Sequence, residues 1–271
     1  MARVCACAPK ATRRKRIASK SQPCRAGWQI ATAMPPVRGA PADFRGQRLR
    51  RAGRPPVRVG RFLARALQVS GVPHEFVVAG ALPGFDGERL LADAQRICEA
   101  QVAFWHGRGR RAQPPFANYL FALNTVEDGR GGLEHRASTA LQAAGAACRR
   151  RRHGAAAEPY LDLLGLISHE YFHAWNVKRL KPAEFARCWT TRARTTPQLL
   201  WFFEGFTSYY DDLMLLRAGL IDAAAYLGLL AKAVEQRARH AGPTGAQPGA
   251  GQLRRLDQVL PQRREHAQHR R

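Results

Sequence analysis

Residues 169–173 read His169-Glu170-Tyr171-Phe172-His173, and this stretch decides the fold. On an α-helix, positions i and i+4 share a face. Two imidazoles so placed can ligate one Zn²⁺, and the glutamate between them can reach water as a general base. The flanks suit a helix. Leu161–Val177 is largely apolar, with Pro159 before it and Pro182 after it. The expectation is a metal-binding helix in the interior of a folded domain.

Zinc in a catalytic site needs a third protein ligand and one open position. Leu199–Leu216 reads as a second helix opening after Pro197, and it contains Glu204, a lone acid among aromatic residues. A carboxylate there is costly to bury unless it is paired or metal-bound, so Glu204 is the candidate third ligand. Further along this helix, Asp211 and Asp212 either orient a metal-bound histidine or face solvent. Tyr209 and Tyr210, with Tyr171, either donate to an oxyanion or belong to the core. Upstream lies Gly131-Gly132-Leu133-Glu134-His135. Paired glycines at a strand edge let a backbone approach a ligand closely, and Glu134 beside them can hold a substrate ammonium. Lys178-Arg179-Leu180-Lys181 fits the negative end of the first helix.

Outside these segments, Val69–Gly80 and Tyr119–Val126 read as strands, and Glu88–Phe104 and Ala223–Glu235 as helices. The composition is less even. The chain has 44 Lys+Arg against 20 Asp+Glu, net +24. Residues 1–65 hold 17 basic and 1 acidic side chain. Basic excess also marks 144–157, 187–196 and 236–271, while the remaining segments are slightly acidic. The expected organisation is a basic, disordered or off-frame remnant of a β-rich domain over 1–65. A catalytic domain over 66–235 follows, interrupted at 144–157 and 187–196, and then a basic off-frame tail over 236–271. No helix-turn-helix, zinc-finger or RNP pattern accompanies the arginines, so no specific nucleic-acid partner is expected. No run is long and apolar enough for a membrane span, and no signal peptide is evident. That leaves the cytoplasm as the default compartment. The six cysteines contain no CxxC pair, which argues against a cysteine zinc site or a disulfide scaffold.

Taken together, HEYFHAWNVKRLKP (169–182), LWFFEGFTSYYD (200–211), RAGLI (217–221) and DGRGGLEHRASTA (128–140) resemble the glycyl aminopeptidase family. GVPHEFVVA (71–79) and RICEAQ (96–101) are similar to the same family, and GWQIATAMPP (27–36) more weakly. The resemblance implies an α+β, thermolysin-like catalytic domain, a small sheet beside a helical lobe. It implies one Zn²⁺ on His169, His173 and Glu204, with Glu170 as base. By similarity to related aminopeptidases, Glu134 would bind the free N-terminus of a peptide substrate.

The departures from the family fall in the basic blocks, and a shift of reading frame accounts for them. DNA encoding QLRRLDQVLP (252–261), read one base later, can encode the family-like SFDAWIKYY. RCWTTRARTT (187–196), read two bases later, and RLRRAGRPPVRVG (48–60), read one base later, also give family-like sequence. The expectation is a truncated, frameshifted copy, or the translation of a sequence containing indel errors, lacking a tyrosine that the resemblance suggests as oxyanion donor. Loss of such a donor costs on the order of 10²–10³ in rate, so weak zinc binding and little activity are expected. The alternative is a non-enzymatic, basic nucleic-acid-binding protein on a decayed peptidase core. An endopeptidase with the same zinc site is a third possibility.

Overall fold

Alternation along the central strands builds a sheet with two different faces. In the computed structural model, which describes residues 27–37, 40–44, 55–109, 112–148, 158–180 and 200–240, five strands form this sheet. They are β5 (Leu63–Val69), β6 (Val72–Ala79), β7 (Tyr119–Val126), β8 (Gly131–Glu134) and β9 (Ser138–Ala144), in the order β5-β6-β7-β9-β8. The β6–β7 and β7–β9 pairs are parallel, and the two outer pairs are antiparallel. Successive strand residues point to opposite faces. Phe76, Val78, Tyr119, Phe121, Leu123 and Leu141 therefore enter the main core, while Val77, Leu120 and Ala122 form a second cluster on the other side.

The first face is covered by helices α1 (Gly87–His106) and α2 (Glu158–Phe172). Asp86 caps α1 by accepting from the Arg89 N–H at 3.2 Å. Leu90, Ala94, Ile97, Cys98, Gln101 and Val102 form its buried stripe at helical spacing. Helix α2 is buried on nearly every side, as its composition requires, and lies between α1, the sheet and α3 (Leu200–Arg217). A last helix, α4 (Ala223–His240), packs on α3. The second face is covered from the N-terminal side. Ala31 of β1 (Gln29–Thr32), with Ala33, Phe62 and Ala64, packs on Val77, Leu120 and Ala122. β1 pairs with β4 (Val57–Gly60), and β2 (Pro36–Val37) pairs with β3 (Ala40–Phe44).

Several boundaries differ from the sequence expectation. The strand expected over Val69–Gly80 is part of a hairpin, because Ser70 (φ 48°) and Gly71 (φ 77°) make a two-residue turn with both φ positive. The domain boundary expected after residue 65 cuts through β5, whose Arg65 is an exposed side chain on an edge strand rather than part of an unstructured arm. Similarly, the basic segment expected to start at Ala144 begins with the end of β9. It continues as a 3-10 turn, Gly145–Cys148, whose Ala147 and Cys148 are core residues. The expected metal helix stops at Phe172 instead of Val177, and 173–180 form consecutive turns. Helix α4 runs five residues beyond Glu235. The arginine run 149–152, the block 187–196 and the tail from 241 onward lie outside the described residues. Among the described residues, no helix is long and apolar enough to cross a membrane.

Candidate active site

His169 lies in the last turn of α2 and His173 just past its end, where its N–H still bonds the His169 carbonyl at 3.3 Å. The two imidazoles therefore keep their helical i, i+4 relation. Their Nε2 atoms face each other at 3.1 Å, and Glu204 Oε2 of α3 is 3.5 Å from each. The ligand atoms of these three side chains all lie within 4.8 Å of one another. The Nδ1 atoms are already engaged. Nδ1 of His169 is 3.0 Å from Asp211 Oδ2, and Nδ1 of His173 is 3.1 Å from the Asn176 carbonyl. Both partners only accept, so each Nδ1 carries the hydrogen and each Nε2 presents a lone pair. Two lone pairs at that distance need a proton or a cation between them. The donor set therefore fits a metal ion, with the histidines oriented from behind by Asp211 and Asn176.

Without metal, protons fill this role. Burial lowers the His169 pKa, but hydrogen bonds to Asp211 and Glu204 outweigh it and raise the group to about 10. Burial works against the Glu204 carboxylate too, yet the two histidines hold it well below the usual range. The raised histidine stabilises the metal-free fold below its unfolded pKa of 6.5, and that contribution is lost as pH rises through about 10. The depressed carboxylate contributes above its unfolded pKa of 4.5 and loses that contribution in acid. Metal loading at pH 7 must then expel about one proton from His169. Calorimetric titration with Zn²⁺ in buffers of different ionisation enthalpy is expected to report that release, and a buffer-independent heat would contradict it.

Glu170, between the two histidines in sequence, lies against strand β8. It is buried, and Gly132 lies so close that a Cβ there would overlap its carboxylate, whereas one at Gly131 would meet nothing within 4 Å. The second oxygen, Oε2, has no hydrogen-bond partner among the described residues. Burial pushes this carboxyl up to about 7, with the two histidines pulling the other way. A carboxylate that titrates near neutrality suits proton transfer in either direction. Gly132→Ala is expected to push Glu170 out of place and lower kcat by about 100-fold with metal content retained. Gly131→Ala should have the smaller effect, and equal kcat losses in the two variants would sink this account.

Glu134 ends β8, at the edge of the sheet, and accepts from Lys178 Nζ at 2.8 Å. Burial raises its pKa, but Lys178 and, more weakly, His173 reverse the shift and lower it. Lys178 reaches it from the turn after α2, where Val177 adopts φ 86°. A β-branched residue in that region is strained by about 1–3 kcal/mol and persists only when its surroundings hold it. Here the holding contacts are explicit. The Asn176 side chain donates to the Phe203 carbonyl at 2.9 Å and to Thr207 at 3.0 Å. Arg136 donates to the Lys178 carbonyl at 2.6 Å. Arg179 binds the carbonyls of Arg136, Ala174 and Pro115.

Residues 162–262 match the M61 glycyl aminopeptidase family. A crystal structure of an aminopeptidase N family protein from Idiomarina loihiensis is similar to this chain, at 35% identity and a TM-score of 0.66. The matched segment holds His169, His173 and Glu204, and through it the chain resembles the M61 glycyl aminopeptidase family. The similarity covers 74% of this chain and 33% of that one, so the chain spans about a third of that relative's length. No curated protein matches the sequence. The M61 match includes α2, α3 and α4 and runs across the block 187–196 into QLRRLDQVLP.

The structure brings together His169, His173, Glu204, Glu170 and Asp211 of the matched segment with Gly132 from upstream of it. Glu134 lies near enough that its negative charge raises the pKa of both Glu170 and His173. Tyr209 and Tyr210 stand apart. Tyr209 is exposed, and the Tyr210 ring packs on Phe104 and Phe172 at 4.9 and 5.3 Å. Helical geometry explains the split, because Glu204, Thr207 and Asp211 at i, i+3 and i+7 share the face turned to α2, and the tyrosines do not. Thr207, Asn176 and Lys178 were missed by the sequence reading. The i, i+3, i+7 spacing from Glu204 would have found Thr207. No sequence signal points to the backbone turn that places Asn176 and Lys178. His74 was also unassigned. It is buried between aromatic rings, bonds Tyr171 at 2.9 Å, and burial lowers it to about 4, so it is a neutral tie between β6 and α2.

Proposed function

We propose that this chain is a zinc-dependent aminopeptidase acting on peptides with a free N-terminus, with glycine as the preferred first residue. The observation that carries the reading is the facing Nε2 pair at 3.1 Å with Glu204 Oε2 3.5 Å from both. Two neutral imidazoles and one carboxylate are a donor set that zinc favours, with a fourth position left for catalysis. A zinc ion held there would supply Lewis-acid chemistry, polarising a carbonyl and acidifying water. The chain's own residues divide the remaining work. Glu170 accepts the proton from the attacking water and delivers it to the leaving amine, which its pKa of about 7 suits. Asp211 keeps His169 in the tautomer that offers Nε2. Glu134, a carboxylate at the end of an edge strand, pairs with the substrate ammonium and so sets the exopeptidase register. Gly132 keeps room for Glu170.

The test is zinc content and turnover of the soluble purified chain. Zinc binding with a limit of one ion per chain is expected, and metal-dependent release of glycine from glycyl-p-nitroanilide that is slow, by the roughly 10²–10³-fold that loss of an oxyanion donor costs. Equal cleavage of N-acetylated peptides would favour an endopeptidase, and absence of bound zinc after loading would sink the proposal.

A further inference from the structure

We infer that Lys178 is a built-in occupant of the subsite for the substrate's amino group, holding Glu134 until a free α-ammonium displaces it. The inference rests on the reading of Glu134 as the N-terminus receptor. Lys178 Nζ lies 2.8 Å from Glu134 Oε1, and it is chemically the same group, a primary ammonium, that a peptide N-terminus would present. One end of the lysine is fixed and the other can move. Its backbone is clamped by the Lys178 N–H bond to the His173 carbonyl at 3.2 Å, by Arg136 on its own carbonyl, and by the strained Val177 beside it. Its head is carried on a flexible four-carbon stem. The two side chains are 26% and 21% exposed, which leaves the pair open to exchange while screening it from bulk water. A fully buried pair would not yield to a ligand, and a fully exposed one would not compete measurably.

Two consequences separate a displaceable occupant from a lysine that merely positions Glu134. An occupant competes with amines, so its removal tightens their binding. A positioning lysine supports the carboxylate, so its removal weakens binding. A ligand whose amine is acetylated cannot take the place of the lysine and should be indifferent to the change.

The experiment titrates zinc-loaded wild type, Lys178→Met, Lys178→Gln and Glu134→Gln with glycinamide and with N-acetylglycinamide by isothermal calorimetry. Both lysine variants are expected to bind glycinamide about fivefold more tightly, with N-acetylglycinamide unaltered. If one lysine variant fails to fold, the other decides. Glycinamide binding that is unchanged or weaker in the folded lysine variant overturns the inference, as does equal tightening of both ligands. Glu134→Gln separates the two levels. Loss of the preference for glycinamide over its acetylated form supports Glu134 as receptor. Retention of that preference removes the receptor reading and the inference with it.

Discussion

Glu170→Gln is expected to lower kcat by about 10²–10⁴-fold while zinc content stays at the wild-type level. Glutamine matches glutamate in volume, so it fits the space that Gly132 leaves. It cannot accept the proton from water, and that is the step the substitution removes. The variant should also reveal a thermodynamic strain. Burial raises the Glu170 carboxyl from 4.5 to about 7. An acid whose folded pKa is raised loses stability for the protein as pH climbs from its unfolded to its folded value. Metal-free Glu170→Gln should therefore melt higher than metal-free wild type at pH 8, with the difference vanishing near pH 4. A kcat within tenfold of wild type, with zinc bound, would rule out Glu170 as the base.

The second large effect belongs to the proposed metal ligands. His173→Ala is expected to leave no stoichiometric zinc and no turnover above background, measured by elemental analysis of the dialysed protein and by a glycyl-substrate assay. The residue is 2% exposed, so truncation also opens a cavity, takes its partner from the Asn176 carbonyl and removes one of the two histidines beside Glu204. A loss of about 1–3 kcal/mol in metal-free stability should follow. Asp211→Asn offers a graded comparison, because it disturbs only the hydrogen bond behind His169. A 10–100-fold weakening of zinc affinity is expected there. Full zinc retention by His173→Ala would mean that the ion sits elsewhere.

The sequence carried the candidate His169–His173–Glu204 cluster because its information is periodic. His169 and His173 are one helical turn apart, and Glu204 stands out as an acid among aromatics. The strand Tyr119–Val126 was readable for a similar reason, being apolar and bounded by turn residues. What the sequence did not reveal is what depends on contacts between distant segments. The closeness of Gly132 to Glu170 joins an edge strand to a helix, and no local pattern encodes it. The turn at 173–180 was taken for helix because Ala174-Trp175-Asn176-Val177 contains no glycine or proline. Tertiary bonds from Asn176, Arg136 and Arg179 hold a left-handed valine there against its own preference. Arg65 was read as part of a basic arm because charge alone does not show that a residue lies in an edge strand.

The two-faced sheet has a practical consequence for the smallest unit that can fold. Val77, Leu120 and Ala122 are shielded by Ala31, Ala33, Phe62 and Ala64, which all precede the apparent catalytic sequence. A truncation at residue 66 would sever β5 and strip the underside of the sheet, although every proposed zinc ligand and the proposed base would remain. The segment from about Trp28 onward is thus a floor for the sheet, and a soluble fragment carrying the intact His169–His173–Glu204 cluster should have to begin there.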